Sequence, residues 1–138
     1  MIVVDASVLA NAVGDDDEDG RRARELLRTH RELAAPDLVD VETTAVLRRR
    51  WLAGTLSDGR FEQAIEDLAD LPLARFPTRG LMHRAFELRA NVTAYDACYV
   101  ALAEALDWPL CTGDRRLAQA SGPRCTMQLI TSPQPPPG

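Results

Sequence analysis

The sequence predicts an α/β domain with a mostly parallel central sheet, and two observations carry that prediction. Short apolar runs alternate with longer segments whose apolar residues recur at helical spacing, the pattern of a parallel sheet covered by helices. The first run, Ile2–Val4, is β-branched without polar alternation, which suits a strand buried on both faces better than a half-exposed antiparallel one. At 138 residues the chain is long enough for one domain whose core needs no disulfide or metal staple.

The first strand runs into Asp5, so a carboxylate stands at its carboxyl tip, where open parallel sheets bind ligands. Ala6–Val13 follows as a short helix that Gly14 terminates and Ser7 can cap. Asp15–Asp19 with Gly20 reads as an acidic loop at the N-terminus of the next helix; its spacing lacks the alternating ligands of a calcium loop. That helix, Arg21–Thr29, is amphipathic with Ala23, Leu26 and Leu27 inward. Leu33–Ala35 is a short strand closed by Pro36-Asp37. From Leu38 to Ala53, Leu38, Val41, Ala45, Val46 and Leu47 give a helix that Gly54 closes, with Glu42 among its apolar positions.

Ser57-Asp58 opens a helix to Leu71 with Phe61, Ile65 and Leu68 on one side. Leu73–Phe76, between Pro72 and Pro77, is a strand. Thr78 then caps Arg79–Ala90, a helix with Leu81 or Met82, Ala85, Phe86 and Leu88 inward. Thr93 introduces Ala94–Leu106, uninterruptedly apolar from Ala97 to Ala103 and therefore covered on nearly all sides. Pro109–Cys111 is a strand, Thr112-Gly113 a turn, and Asp114 opens a short helix through Ala120. Cys125–Ile130 makes the last strand. One domain thus spans residues 1–130, and 131–138, with four prolines, is expected to be a disordered tail.

Composition narrows the function classes. With 46% hydrophobic and 27% charged residues the chain is an ordinary globular one, and no segment approaches the apolar length of a membrane span. Asp5 interrupts the apolar N-terminus, so no signal peptide and a cytoplasmic location are expected. Cys98, Cys111 and Cys125 sit in apolar contexts without C-x-x-C spacing, which reads as buried reduced thiols and not as a zinc site. His30 and His83 are expected at or near the surface, away from any ligand set. A net charge of −5 argues against a broad basic surface for nucleic acid, though not against a nuclease whose metal ions meet the phosphate.

All 16 basic residues are Arg. Phosphoryl transfer onto an aspartate at the first strand's tip would use a second acid close behind it and a late lysine; position 7 is Ser and there is no Lys, so that class is set aside.

Four acids are the candidate catalytic residues: Asp5, Glu42, Asp96 and Asp114. Asp5 and Asp114 follow apolar strands, while Glu42 and Asp96 lie near the starts of helices that should pack on the sheet. Converging, they would make a carboxylate pocket without His or Cys, which near neutral pH is stable chiefly with a cation in it, and hard oxygen donors select Mg²⁺ or Mn²⁺. Such ions polarise a phosphodiester and lower the pKa of a water, which is hydrolytic nuclease chemistry. Each acid has a plainer reading alongside. Asp96 stands three after Thr93, as in a capping box, and Asp114 can be an N-cap. Glu42 can pair with an Arg, or its face can be misjudged. Only for Asp5, at the end of an all-apolar strand, does function outweigh structure on its own.

The segments Met1-Ile-Val-Val-Asp5-Ala-Ser7-Val-Leu, Ala35-Pro-Asp-Leu-Val-Asp-Val-Glu42, Thr93-Ala-Tyr-Asp96-Ala-Cys-Tyr-Val-Ala-Leu-Ala and Leu110-Cys-Thr-Gly-Asp114-Arg-Arg-Leu resemble the four signature blocks of PIN domains, in the VapC toxin branch of type II toxin–antitoxin systems. Any one block is a weak signal; four in this order at these spacings are specific, and the likeness runs from Met1 to about Ile130. The resemblance implies a three-layer α/β/α fold and a Mg²⁺- or Mn²⁺-dependent ribonuclease acting on single-stranded or loop regions of structured RNA such as tRNA or rRNA. It implies Asp5 and Asp96 as principal metal ligands, Glu42 and Asp114 completing the site, and Ser7 and Thr112 orienting carboxylates. It also implies a VapB antitoxin whose C-terminal segment lies across the pocket, and a homodimer. Some PIN domains carry a further acid just after the position of Asp114, where Arg116 and Leu117 stand here, which bears on a second metal ion. Arg115 or Arg116 could hold an RNA phosphate bidentately. The rival within this fold is a PIN-like binding or scaffold module that keeps the acids without turnover.

Overall fold

The computed structural model describes residues 1–130; the expected tail lies outside them. Five strands form one sheet: β1 (Ile2–Val4), β2 (Leu33–Pro36), β3 (Leu73–Phe76), β4 (Leu110–Thr112) and β5 (Met127–Leu129). Their order is β3-β2-β1-β4-β5 and every pairing is parallel, so the sheet is wholly rather than mostly parallel. Ile2, Val3 and Val4 are fully buried, as an apolar central strand requires.

The helices are α1 (Ala6–Gly14), α2 (Glu18–Thr29), α3 (Val39–Leu52), α4 (Asp58–Asp70), α5 (Met82–Glu87), α6 (Ala94–Leu106) and α7 (Arg115–Gln119). They flank the sheet in a three-layer arrangement: α6 packs across β1, β2 and β4 and carries α5, while α1 rests on β4 and gathers α2, α3 and α4 around itself. Arg84 of α5 clamps α6 through Glu104, with Nε–Oε1 at 2.7 Å and Nη2–Oε2 at 3.1 Å. None of these helices is long and apolar enough to cross a membrane.

Ser7 does not cap α1; Asp5 does, accepting the Val8 N–H. The acidic run is a loop only over Asp15–Asp17, because α2 starts at Glu18 and takes Glu18 and Asp19 into its first turn, where the helix dipole favours them. Gly20 is therefore helical, and it must be small: a Cβ there would lie 1.8 Å from the Asp15 carbonyl oxygen. Arg79–Ala90 is broken, a 3₁₀ turn over Arg79–Leu81 preceding the six residues of α5, and the side chain of Thr78 makes no cap. Phe86 faces out under the Arg89 guanidinium, 4.0 Å from the ring centroid, instead of inward. Thr112 belongs to β4 and not to a turn. Cys98 and Cys111 are buried free thiols, whereas Cys125 is only partly covered.

The face of α3 is the largest revision. Val39, Thr43 and Leu47 point into the core at intervals of four, while Val41 is 73% exposed and Ala45 lies outside too. Among the described residues the buried Thr43 hydroxyl has no hydrogen-bond partner. Thr43→Val keeps the branched shape and removes the orphaned group, so it should stabilise the fold by about 1 kcal/mol, whereas Leu47→Ala should cost about 2–5 kcal/mol. Chemical denaturation of the two variants checks both signs; a destabilised Thr43→Val would mean that the hydroxyl has a partner after all.

Candidate active site

The chain leaves β1 toward β2 and β3 on one side and returns to β4 and β5 on the other. The carboxyl ends of β1 and β4 therefore flank the point where strand order reverses, the place at which open parallel sheets form ligand crevices. Asp5 stands at this point, only 6% exposed. Its Oδ1 accepts from Ser7 Oγ at 2.6 Å and from the Val8 N–H at 3.2 Å, and its Oδ2 accepts from the Thr112 hydroxyl. The two hydroxyls are themselves braced from the β4–α7 connection. Gly113 N–H donates to Ser7 Oγ at 3.1 Å and Asp114 N–H to Thr112 Oγ1 at 3.0 Å. Burial pushes the Asp5 carboxyl up, and the hydrogen bonds from Ser7, Thr112 and Val8 oppose that without cancelling it.

Asp96 sits in the first turn of α6, its N–H capped by Thr93 Oγ1 at 3.2 Å. Its carboxyl is pushed up by burial, then by the like charges of Asp114 and Asp5, against the hydrogen bond with Thr93. Glu42 sits in the first turn of α3, half-buried, and accepts from Tyr99 Oη at 3.0 Å. It too is raised, first by burial and then by Asp96 and Asp5, with the Tyr99 bond opposing. Asp114 is exposed and caps α7, its Oδ1 accepting from the N–H groups of Arg116 (2.8 Å) and Leu117 (3.4 Å).

The four acids thus share one electrostatic neighbourhood. Asp5 and Asp96 are its centre, Glu42 and Asp114 its flanks. The capping readings of Asp96 and Asp114 hold in the structure together with their place in the cluster. Glu42 is not on a buried apolar face; its company is a phenol and two other acids. Tyr99 is the residue that sequence reasoning missed. It was hidden within an apolar run, although it falls three residues after Asp96 and so on the same side of α6. Buried to 1% exposure and facing Glu42, it keeps its proton, burial and then the neighbouring carboxylate raising its pKa.

This donor set suits a hard divalent cation. Among the described residues no three Asp, Glu, His or Cys side chains form a ready ligand cage. Mg²⁺ does not require one, since it keeps several waters and is held by one or two carboxylates. Thiol chemistry is disfavoured: burial pushes Cys111 and Cys125 up to about 11, leaving no thiolate near neutral pH. Of the two arginines flagged after Asp114, Arg115 lines a groove that opens beside Ser7 and Gly113, and Arg116 does not.

A family model described as the PIN domain matches residues 2–123. Ribonuclease VapC9 of Mycobacterium tuberculosis is 40% identical over 130 residues, 94% of this chain and 98% of that protein. Ribonuclease VapC1 of the same organism is 40% identical over 129 residues, covering 93% and 96%. Among solved structures, M. tuberculosis VapC20, described as a Sarcin-Ricin loop cleaving toxin, superposes with a TM-score of 0.68 at 17% identity, covering 86% of this chain and 93% of its own. VapBC2 from Rickettsia felis, solved bound to a DNA fragment from its promoter, gives 0.65 at 16% identity, covering 94% and 99%. The last two show the fold; the family match and the 40% relatives, nearly full-length on both sides, show the kinship. The chain belongs to the PIN-domain family, among the VapC ribonucleases.

Proposed function

We propose that this chain is the toxin of a type II toxin–antitoxin pair, a cytoplasmic Mg²⁺- or Mn²⁺-dependent endoribonuclease cutting single-stranded or loop regions of RNAs such as tRNA or rRNA. The observation that carries the reading is a carboxylate, Asp5, buried at the strand reversal and held by Ser7 and Thr112 within electrostatic reach of Asp96 and Glu42. The names of the 40% identical relatives support it.

Asp5 and Asp96 would hold the ion, with Glu42 and Asp114 beside them. The chemistry supplied by a bound Mg²⁺ or Mn²⁺ is polarisation of the scissile phosphodiester and a lowered pKa for the attacking water. Ser7 and Thr112 fix both oxygens of Asp5, so that carboxylate needs no reorganisation when substrate arrives. Glu42, with its affinity for protons raised, is suited to take the proton that the water gives up, and Tyr99 keeps its side chain oriented meanwhile. A VapB-like antitoxin would cover the acids. This reading draws on the Rickettsia VapBC2 structure and on that of FitAcB from Neisseria gonorrhoeae, which matches at a TM-score of 0.64. A homodimer would cover apolar side chains that α3 leaves outside, Val41 and Leu52.

Incubated with a pool of structured RNAs and Mn²⁺, the antitoxin-free chain should give discrete products. EDTA should abolish them and Asp5→Asn should reduce them by about a hundredfold or more. A folded, metal-binding chain that cuts nothing in a broad pool would contradict the catalytic reading in favour of a binding module.

The raised carboxyls also set a pH dependence. Asp5, Glu42 and Asp96 bind protons more readily folded than unfolded, so their contribution to stability is full below their ordinary values and is lost as pH rises through the folded ones. Asp16, held low by the hydrogen bond and charge of Arg60, and Glu104, where burial is outweighed by the bonds from Arg84 and Arg124, act oppositely. Their contribution is full above their ordinary values and is lost as pH falls through the lowered folded ones. The metal-free protein should therefore melt higher as pH falls from 7 toward the ordinary carboxylate range, and Asp96→Asn should melt higher than the parent at pH 7. Mn²⁺ should raise the parent's melting temperature most at the higher pH, where it meets no competing protons; a hundredfold excess over Kd is worth about 2.7 kcal/mol. Scanning fluorimetry across pH with and without Mn²⁺ tests this, and a melt indifferent to both would contradict it.

A further inference from the structure

We propose that Arg49 and Arg115 are a phosphate-holding pair that positions the RNA backbone in a groove beside the acids; this deepens the ribonuclease reading and rests on it. The groove, about 480 Å³, has Ser7, Asn11, Arg49, Arg50, Gly113 and Arg115 among its lining residues. Its lining thus includes the two residues whose hydrogen bond braces Asp5. A strand seated in the groove is led to the acid cluster.

Position on the groove, together with charge, points to the ligand class. Arg21, Arg22, Arg60, Arg75 and Arg84 each meet a carboxylate at salt-bridge distance, and of the described arginines that do not, Arg49, Arg50 and Arg115 are the ones lining this groove. Arg49 and Arg115 are exposed and meet none among the described residues. Arg50, on the same groove, is tied to neutral oxygens, donating to Asn11 Oδ1 at 2.6 Å and to the Ala10 carbonyl at 3.2 Å. It is held in place without losing its charge to a carboxylate. Asp19 and Arg22 also line the groove and are engaged with partners. Guanidinium groups without carboxylate partners, gathered on an acidic protein, match the forked recognition of phosphodiester oxygens. RNA fits better than an acidic peptide because the groove borders the hydrolytic centre, and successive phosphates of one strand would occupy the arginines and the acids together.

The test uses a fluorescein-labelled single-stranded RNA 20-mer, bound across a salt series to Asp5→Asn protein so that the probe is not cut, and cleavage kinetics in the otherwise intact chain. Arg49→Gln and Arg115→Gln should each weaken binding about fivefold to twentyfold and flatten the slope of log affinity against log salt by about 0.7. Both should raise KM with kcat near the parent's, and Arg49→Lys should restore part of the loss. Arg48→Gln removes the same charge from the same helix but outside the groove, and should change neither. Unchanged binding and KM in both groove variants, or an equal loss in Arg48→Gln, overturns the assignment, as does a parent that binds no RNA. Loss of binding to a poly-glutamate peptide with RNA binding intact also overturns it and gives the groove to a protein partner. A parent that binds RNA through Arg49 and Arg115 yet cuts none refutes the ribonuclease reading and leaves the groove assignment standing.

Discussion

A carboxylate buried at the centre of a parallel sheet is the constraint on which this molecule depends. Leaving Asp5 without partners in that position would cost several kcal/mol or force it to stay protonated. Two hydroxyls and one backbone N–H supply what water would have given: Ser7 and the Val8 N–H come from the first turn of α1, and Thr112 comes from strand register. β1 and β4 pair Val3 with Leu110 and Val4 with Cys111, so the next step brings Asp5 beside Thr112. A slip of one residue would turn Thr112 to the opposite face and bring Cys111 or Gly113 level with Asp5. The register that buries the apolar strands is thus also the register that equips the site.

The same economy recurs around the cluster. Asp5 starts α1, Asp114 starts α7, and Glu42 and Asp96 lie in the first turns of α3 and α6, so all four acids occupy helix starts, where backbone N–H groups point outward and the dipole favours negative charge. Those helix starts do not offset burial, which raises Asp5, Glu42 and Asp96 above free side chains, with the like charges of neighbouring acids adding to it for Glu42 and Asp96. In the proposed reading a cation would relieve that crowding of carboxylates at the crevice, and the guanidinium groups of the adjoining groove would carry the complementary charge for the rest of a phosphodiester strand.

Much of this was legible in the sequence because several signals have a single physical reading. Ile2–Val4 could only be a strand covered on both faces, and Ser57, Thr93 and Asp114 are the helix caps that their positions suggest. The four acids emerged because each sits at the start of a helix or the tip of a strand. Other features were hidden where two readings compete locally and distant contacts decide. Ser7 and Asp5 are both good caps, and only the arrival of Thr112 and Gly113 makes Asp5 the cap and Ser7 its brace. An acidic run resembles a loop as much as a first helical turn. The apolar residues of α3 gave the right period but the wrong face, since Val41 and Ala45 are outside while the polar Thr43 is inside. Tyr99 looked like core because its ring is core; its hydroxyl alone belongs to the site.

In the proposed reading the Asp5 hydrogen-bond frame presents a metal ligand. Mn²⁺ affinity measured by electron paramagnetic resonance on the parent and on Thr112→Val tests it most directly, because valine preserves the strand's packing while removing one of the two side-chain hydroxyls that hold the carboxylate. The variant should fold and its Mn²⁺ affinity should fall by about tenfold to a hundredfold. A Thr112→Val protein that binds Mn²⁺ as tightly as the parent would show that the frame serves the fold alone.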